Sequence, residues 1–345
     1  MPPLHVLIKR ILLTGVPLPD GARPGMAPPV RLQALLAACA ATHRSINAMA
    51  VRYGNRYRSA YWSVYLLSSV AVLFAALPPA LGWDLERHSL HSYAWAWGLC
   101  ELLVIMIVGV VYWRGHHADW QGQWLAARTH AELAWYLPLI APLVDFNQPH
   151  PEASWYARVF APGQHVREAD GVGSMCTDME PLARSGLDGA WEDEAFVTSY
   201  ARWAIHILDG QRLYHLRVRA EHHALHHRVH RITGALFAFT ALGAVAHLVL
   251  HSLWLSVLAV FFPALAAALH GALAQTEAYR LEQSATRLVA SMEHATAGVE
   301  QALQYTAASG DTAPLAAAVQ EAVAVILDEH QDWHGTVRPH HIPLG

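Results

Sequence analysis

Long runs without charge constrain this chain more than any other feature. Residues 60–83, AYWSVYLLSSVAVLFAALPPALGW, hold no formal charge, and residues 93–113, YAWAWGLCELLVIMIVGVVYW, hold one, Glu101. Residues 233–276 are again charge-free. That stretch is too long for one crossing and divides at the polar His251-Ser252 step into 233–251 and 253–273. About 30 Å of hydrocarbon takes roughly 20 apolar residues, a length each of the four runs meets. Backbone groups in lipid must bond within their own segment, so each run is expected to be a helix. Trp62, Trp83, Trp95, Trp97, Trp113 and Trp254 fall near run ends, as an aromatic belt requires.

Composition agrees. Only 14% of the 345 residues are charged and 54% are hydrophobic, which excludes a disordered chain. The mean hydropathy is +0.21. A net charge of −4 gives no bulk attraction for duplex nucleic acid. Cys39, Cys100 and Cys176 have no paired spacing, so neither a disulfide framework nor a thiolate zinc site is expected. The start of the chain interrupts its apolar run with Pro17 and Pro19 and does not read as a cleaved signal peptide.

Basic residues set the expected orientation. Eight precede the first run, Arg87 lies between the first and second, and eleven lie between the second and third. None separates the third from the fourth, and three follow it. With both short hairpin loops outside, 22 of the 23 basic residues lie in the cytoplasm, as the positive-inside rule favours. The expected architecture is an all-α membrane protein of the cell membrane, with both termini cytoplasmic. It has a cytoplasmic segment 1–58, a transmembrane hairpin 59–113, a cytoplasmic helical region 114–232, a second hairpin 233–274 and cytoplasmic C-terminal helices 275–345.

The polar segments also read as helices. Trp120, Trp124, Ala127, Ala131 and Trp135 recur at helical spacing, which predicts an amphipathic helix continuing the second span inward and ending before Pro138 or Pro142. Residues 145–190 are rich in proline and glycine and read as loop. A long helix from Trp191 to Arg231 enters the third span, with Asp209-Gly210 a possible interruption. Leu281, Ala285, Leu288, Met292, Ala295, Val299 and Ala302 form a heptad seam for contact with other subunits or with another helix. Ser309-Gly310-Asp311 ends that helix, and Pro314 opens a last one reaching about Asp328.

Chemistry-bearing motifs are scarce. There is no phosphate loop, nucleophile elbow or His-Glu-x-x-His motif, so no enzymatic site is expected. His222, His223, His226, His227 and His230 crowd the approach to the third span. Arg219, Arg228 and Arg231 beside them disfavour a bound cation, and the segment reads as a polar surface helix. His247, His251 and His270 leave open a membrane haem or metal protein moving electrons, although His251 and His270 fall at opposite ends of a hairpin. No cofactor is expected.

Glu101 is the sharper signal. It lies about 12 Å along the second span from its outer end at 1.5 Å per residue. A carboxylate at that depth faces water or a partner. Trp97, Glu101, Val104 or Ile105, and Val108 share a stripe, so the carboxylate either lines a pore above a hydrophobic constriction or hydrogen-bonds Ser63, Ser68 or Ser69. For an anionic ligand the candidate residues are Arg52, Arg56 and Arg58 before the first span, and Arg217 and Arg219 before the third.

Several segments together resemble the SLATT family, the SMODS-and-SLOG-associating membrane effectors of bacterial conflict systems. They are RYGNRYRSAY, the CELL carboxylate, WLAARTHAEL, YHLRVRAEHHALHHRVHR and ILDEHQDWHGTV, covering residues 44–341. The resemblance implies an antiphage, abortive-infection effector. It would be a homo-oligomeric ion channel, most simply a tetramer in the bilayer, gated by a nucleotide or oligonucleotide from a nucleotidyltransferase partner. A third reading is a non-conducting membrane scaffold.

Overall fold

A computed structural model describes residues 2–19, 25–82, 94–143, 187, 189–250, 252–276 and 278–336. Every regular element among them is helical. α1 (Leu4–Leu12) precedes α2 (Gln33–Ala80), which is followed by α3 (Ala94–His117) and α4 (Trp120–Ile140). α5 (Glu194–Leu250) and α6 (Leu253–Gln275) form a hairpin, and α7 (Ala278–Ser309) and α8 (Ala313–Thr336) complete the chain. Most of the loop read at 145–190, and residues 337–345, lie outside the described residues.

Four helices are long and apolar enough to cross a membrane: the C-terminal part of α2, α3, the C-terminal part of α5, and α6. They stand in a row rather than a closed bundle: α3 packs on α2, α2 on α6, and α6 on α5. The outer members therefore expose most of their apolar surface. Leu99, Leu103, Met106 and Val110 of α3 and Phe239, Leu242 and Leu248 of α5 all lie open, as lipid-facing residues do.

Small residues close the row. A Cβ on Gly271 of α6 would stand 2.5 Å from the Tyr65 ring of α2, and one on Gly243 of α5 would stand 3.3 Å from Leu258 of α6. Such contacts bring helix backbones together where no hydrophobic effect separates lipid from protein. The ring of His247 donates to the Ser252 carbonyl at 3.0 Å and ties α5 to α6 across their turn. His251 itself lies outside the described residues.

The other halves of α2 and α5 run out of the row into a polar bundle with α4, α7 and α8. Its core holds Leu35 and Cys39 of α2, Leu139 and Ile140 of α4, and Tyr200 and Leu208 of α5. Met292 and Val299 of α7 and Leu315 and Ile326 of α8 complete it. Tyr200 donates its hydroxyl to the Leu139 carbonyl at 2.7 Å, and burial raises its pKa. The His43 ring donates to the Ala131 carbonyl at 2.8 Å, stapling α2 to α4. Such bonds satisfy polar groups that burial has taken from water.

Three local expectations change. The amphipathic segment does not continue the second span unbroken: α3 stops at His117, and Asp119 adopts a left-handed conformation (φ 41°). Its carboxylate then accepts from the Gly122 amide at 3.2 Å and caps α4. Of the two ends expected for it, α4 takes the later one, passing through Pro138 and stopping at Ile140, before Pro142. Asp209-Gly210 causes no interruption, because α5 is continuous across it and Asp209 pairs with Arg212 at 3.4 Å. At the C-terminus α7 ends at Ser309 as expected, with Gly310 at φ 74° and Asp311 capping the Ala313 amide at 3.0 Å, but α8 runs on to Thr336.

Candidate functional site

Where the apolar row meets the polar bundle, a cavity of about 940 Å³ opens between α1, α2, α4, α5 and α7. Five permanent cations line it: Lys9 and Arg10 from α1, Arg58 from α2, Arg128 from α4 and Arg217 from α5. Two carboxylates, Glu132 and Glu221, face them. The lining is therefore strongly electropositive, and low-dielectric walls strengthen such a field.

The carboxylates are already engaged. Arg128 pairs with Glu132 one turn along α4. Lys9 and Arg217 converge on Glu221, the latter at 3.2 Å. Burial alone would raise the Glu221 pKa, but the hydrogen bonds and charges of Lys9 and Arg217 together hold it below the usual range. Arg58 has no carboxylate partner among the described residues. Its guanidinium lies 4.7 Å from the Trp124 ring centroid, and Trp124 stacks on Tyr57 at 5.9 Å. Burial, with Arg128 adding repulsion, pulls the Arg58 pKa below its ordinary value. A guanidinium resting on an aromatic face and short of anions is a ready partner for phosphate or carboxylate.

Two imidazoles border these cations in their neutral form. Burial, Arg58 and Lys9 push His5 down to about 4; its Nδ1 meets the Ser59 hydroxyl at 3.2 Å. Burial, then Lys9 and Arg58, push His222 down to about 4 against the opposing pull of Glu221 and Glu282, and among the described residues its Nδ1 has no hydrogen-bond partner.

The cavity reaches the apolar helices directly. Tyr61 and Trp62 at the start of the first run line it, as do Gln275 and Thr276 at the end of α6. Gln275 donates to the Tyr57 hydroxyl at 3.1 Å, linking α6 to α2 at this level. The Gly54 Cα lies so close to Trp124 that a Cβ there would stand 2.8 Å from the indole nitrogen.

Of the five arginines singled out in the sequence, the structure brings Arg58 and Arg217 to one cavity. Arg52 and Arg56 are exposed on α2, Arg56 lying 6.0 Å over the Tyr53 ring, and Arg219 is half-buried away from the cavity. Lys9, Arg10 and Arg128 were not anticipated. Arg128 was recoverable from Trp124 and Arg128 standing one turn apart on the helix predicted there. Lys9 carried no signal, because its site depends on α1 docking across residues more than two hundred positions away.

Glu101 stands on the face of α3 turned toward α2. Trp97 contacts Phe74 at 5.7 Å between centroids, Val104 is 8% exposed, and Val108 packs against the buried cluster that contains Tyr61 and Val64 of α2. Ile105, a quarter-turn away, is 51% exposed. Among the described residues nothing hydrogen-bonds Glu101. The Ser68 and Ser69 hydroxyls donate instead to Val64 and Leu66 of their own helix, each at 2.8 Å.

The histidine-rich face of α5 is held by polar contacts. His223 meets Glu282 of α7 at 2.8 Å, and His230 lies 5.4 Å from His270 between centroids. No group of three or more metal-ligating side chains is gathered among the described residues. No family model matches this chain, and no curated protein or solved structure does either.

Proposed function

We propose that this chain is a membrane effector in which an anionic ligand, taken up in the cavity beneath the apolar row, controls an ion-conducting homo-oligomer. The observation that carries this reading is the electropositive cavity lined in part by α2, α5 and the end of α6, three of the helices long and apolar enough to cross a membrane. A ligand drawing Arg58 off Trp124, or Lys9 and Arg217 off Glu221, shifts contacts shared by α2, α5 and α6. A ligand acts on an equilibrium only through such differential contacts. The volume suits a nucleotide-sized molecule. In the orientation favoured by the basic residues the cavity opens to the cytoplasm. The resemblance to SLATT effectors adds the setting: a nucleotide or oligonucleotide signal from a partner nucleotidyltransferase, and antiphage defence by membrane permeabilisation.

In this reading Glu101, only partly covered by α2, borders the conducting path once chains associate, with the exposed Ile105 beside it, while Trp97, Val104 and Val108 hold α3 against α2. The hydroxyl donors of Ser68 and Ser69 are committed to their own helix, which favours this role over structural glue. The test is potassium flux from vesicles containing the purified protein, challenged with a panel of cyclic di- and trinucleotides. One of them should raise flux at least tenfold. Arg58→Gln should weaken the response at least tenfold in ligand concentration, and Glu101→Gln should lower maximal flux with the ligand concentration unchanged. Flux indifferent to every nucleotide and to Arg58→Gln would remove the ligand-controlled channel from consideration.

A further inference from the structure

The helix that walls the cavity on one side is amphipathic in the reverse sense from a soluble surface helix. α1 turns His5, Val6, Lys9 and Arg10 along the cavity, and Lys9 engages Glu221. Leu12 is buried among Tyr57, Tyr61 and Val229. The stripe pointing away holds Leu4, Leu7 and Ile11, which are 37%, 39% and 71% exposed. At 100° per residue these three fall within about 60° of one another. Such a stripe is costly in water and stabilising in lipid.

Its position supplies the partner. His5 of α1 meets Ser59, the first residue of the first span, and Arg228, five residues ahead of the third apolar run, donates to the Leu12 carbonyl at 2.8 Å. α1 therefore lies across the starts of two membrane-crossing helices, at the depth of the headgroups. Arg228 and the exposed Arg231 lie within five residues of the third apolar run, where anionic headgroups attract basic side chains.

We propose that α1 is an interfacial helix, its Leu4-Leu7-Ile11 stripe set into the leaflet on the polar-bundle side of the membrane. The bilayer is then the outer support of the cavity's α1 wall. This goes beyond the ligand-controlled channel and stands without it.

The test uses the full chain in vesicles of phosphatidylcholine and phosphatidylglycerol. Cys100 and Cys176 are replaced by serine; Cys39, buried, stays. A single new cysteine at Ile11, at Leu7, or at the exposed Tyr305 of α7 then carries an environment-sensitive nitrobenzoxadiazole probe. At positions 7 and 11 the emission should shift to the blue and fall at least twofold when a lipid with a nitroxide high on its acyl chain is included, while position 305 shows neither effect. Because the replaced residues are exposed, the fold should tolerate them, and circular dichroism equal to the parent confirms it. Unquenched, water-like emission at both α1 positions overturns the proposal. So does blue-shifted emission that the nitroxide lipid leaves unquenched, which places the stripe against a second copy of the chain.

Discussion

At the scale of single residues, His5 and His222 are the groups whose state the fold sets most firmly. Both sit neutral beside Lys9 of α1 and Arg58 of α2, with Glu221 on α5 and Glu282 on α7 pulling His222 the other way. Each has a folded pKa of about 4 against 6.5 in the unfolded chain. Between those values the unfolded chain binds more protons, so stability falls as pH drops through this window and levels off below it. The melting temperature in detergent should therefore be lower at pH 5 than at pH 7.5. A His5→Asn, His222→Gln pair should lose most of that dependence, and a slope equal to the parent's would show that other groups set it. The same scale explains what the sequence disclosed of the cavity. Arg52, Arg56 and Arg58 are dense in sequence, yet Arg52 and Arg56 are about 40° apart on a helix and Arg58 points elsewhere. Arg217 and Arg219 are some 160° apart, so Arg58 cannot share a face with Arg52 and Arg56, nor Arg217 with Arg219. The spacing held this information, but which side was interior depended on Trp124 and α1 arriving from elsewhere.

At the scale of elements, the heptad seam of α7 was legible but its partner was not. Ala285, Leu288, Met292, Val299 and Ala302 are buried, and α7 packs along α5 of the same chain with α8 beside it. A seam of alternating small and large residues specifies a close helix contact, and its pattern is identical whether the opposing helix belongs to the same chain or a neighbour. The consequence is testable. Met292 is fully buried, so Met292→Ala should cost about 2–5 kcal/mol. Leu288→Glu should cost at least as much by burying an unpaired charge. Both should lower the thermal transition followed by tryptophan fluorescence while the protein that stays folded keeps its native mass. A variant that melts normally but dissociates would mean that the seam joins subunits. The break between α3 and α4 was not legible for a related reason. Nothing in periodicity marks Ala118-Asp119, and only a left-handed Asp119 capping Gly122 lets α4 turn onto α2.

At the scale of the whole molecule, the charge-free runs disclosed an all-helical chain with four apolar helices able to cross a membrane, because desolvating backbone leaves few alternatives. Their arrangement was hidden, since apolar runs look alike whether they close a bundle or stand in line. Among the described residues the row of α3, α2, α6 and α5 is one helix thick, with no core enclosed between its helices. This weighs against a haem held between four helices of one chain, which requires residues converging on a shared core. It also means that one chain cannot enclose a path for ions. If the protein conducts, copies must close a ring, and the broad apolar faces of α3 and α5 are the surfaces left to join them or to meet lipid. Closed rings of identical chains are the common solution for such faces. Native mass spectrometry from nanodiscs should therefore return a discrete multiple of the 38.0 kDa chain, with four the simplest. Glu101→Gln should leave that multiple unchanged, because the carboxylate has no bonded partner among the described residues. A strictly monomeric species that still supports ligand-dependent flux would contradict the single-layer arrangement. A monomer without flux would leave the chain as a membrane-anchored binder of anions.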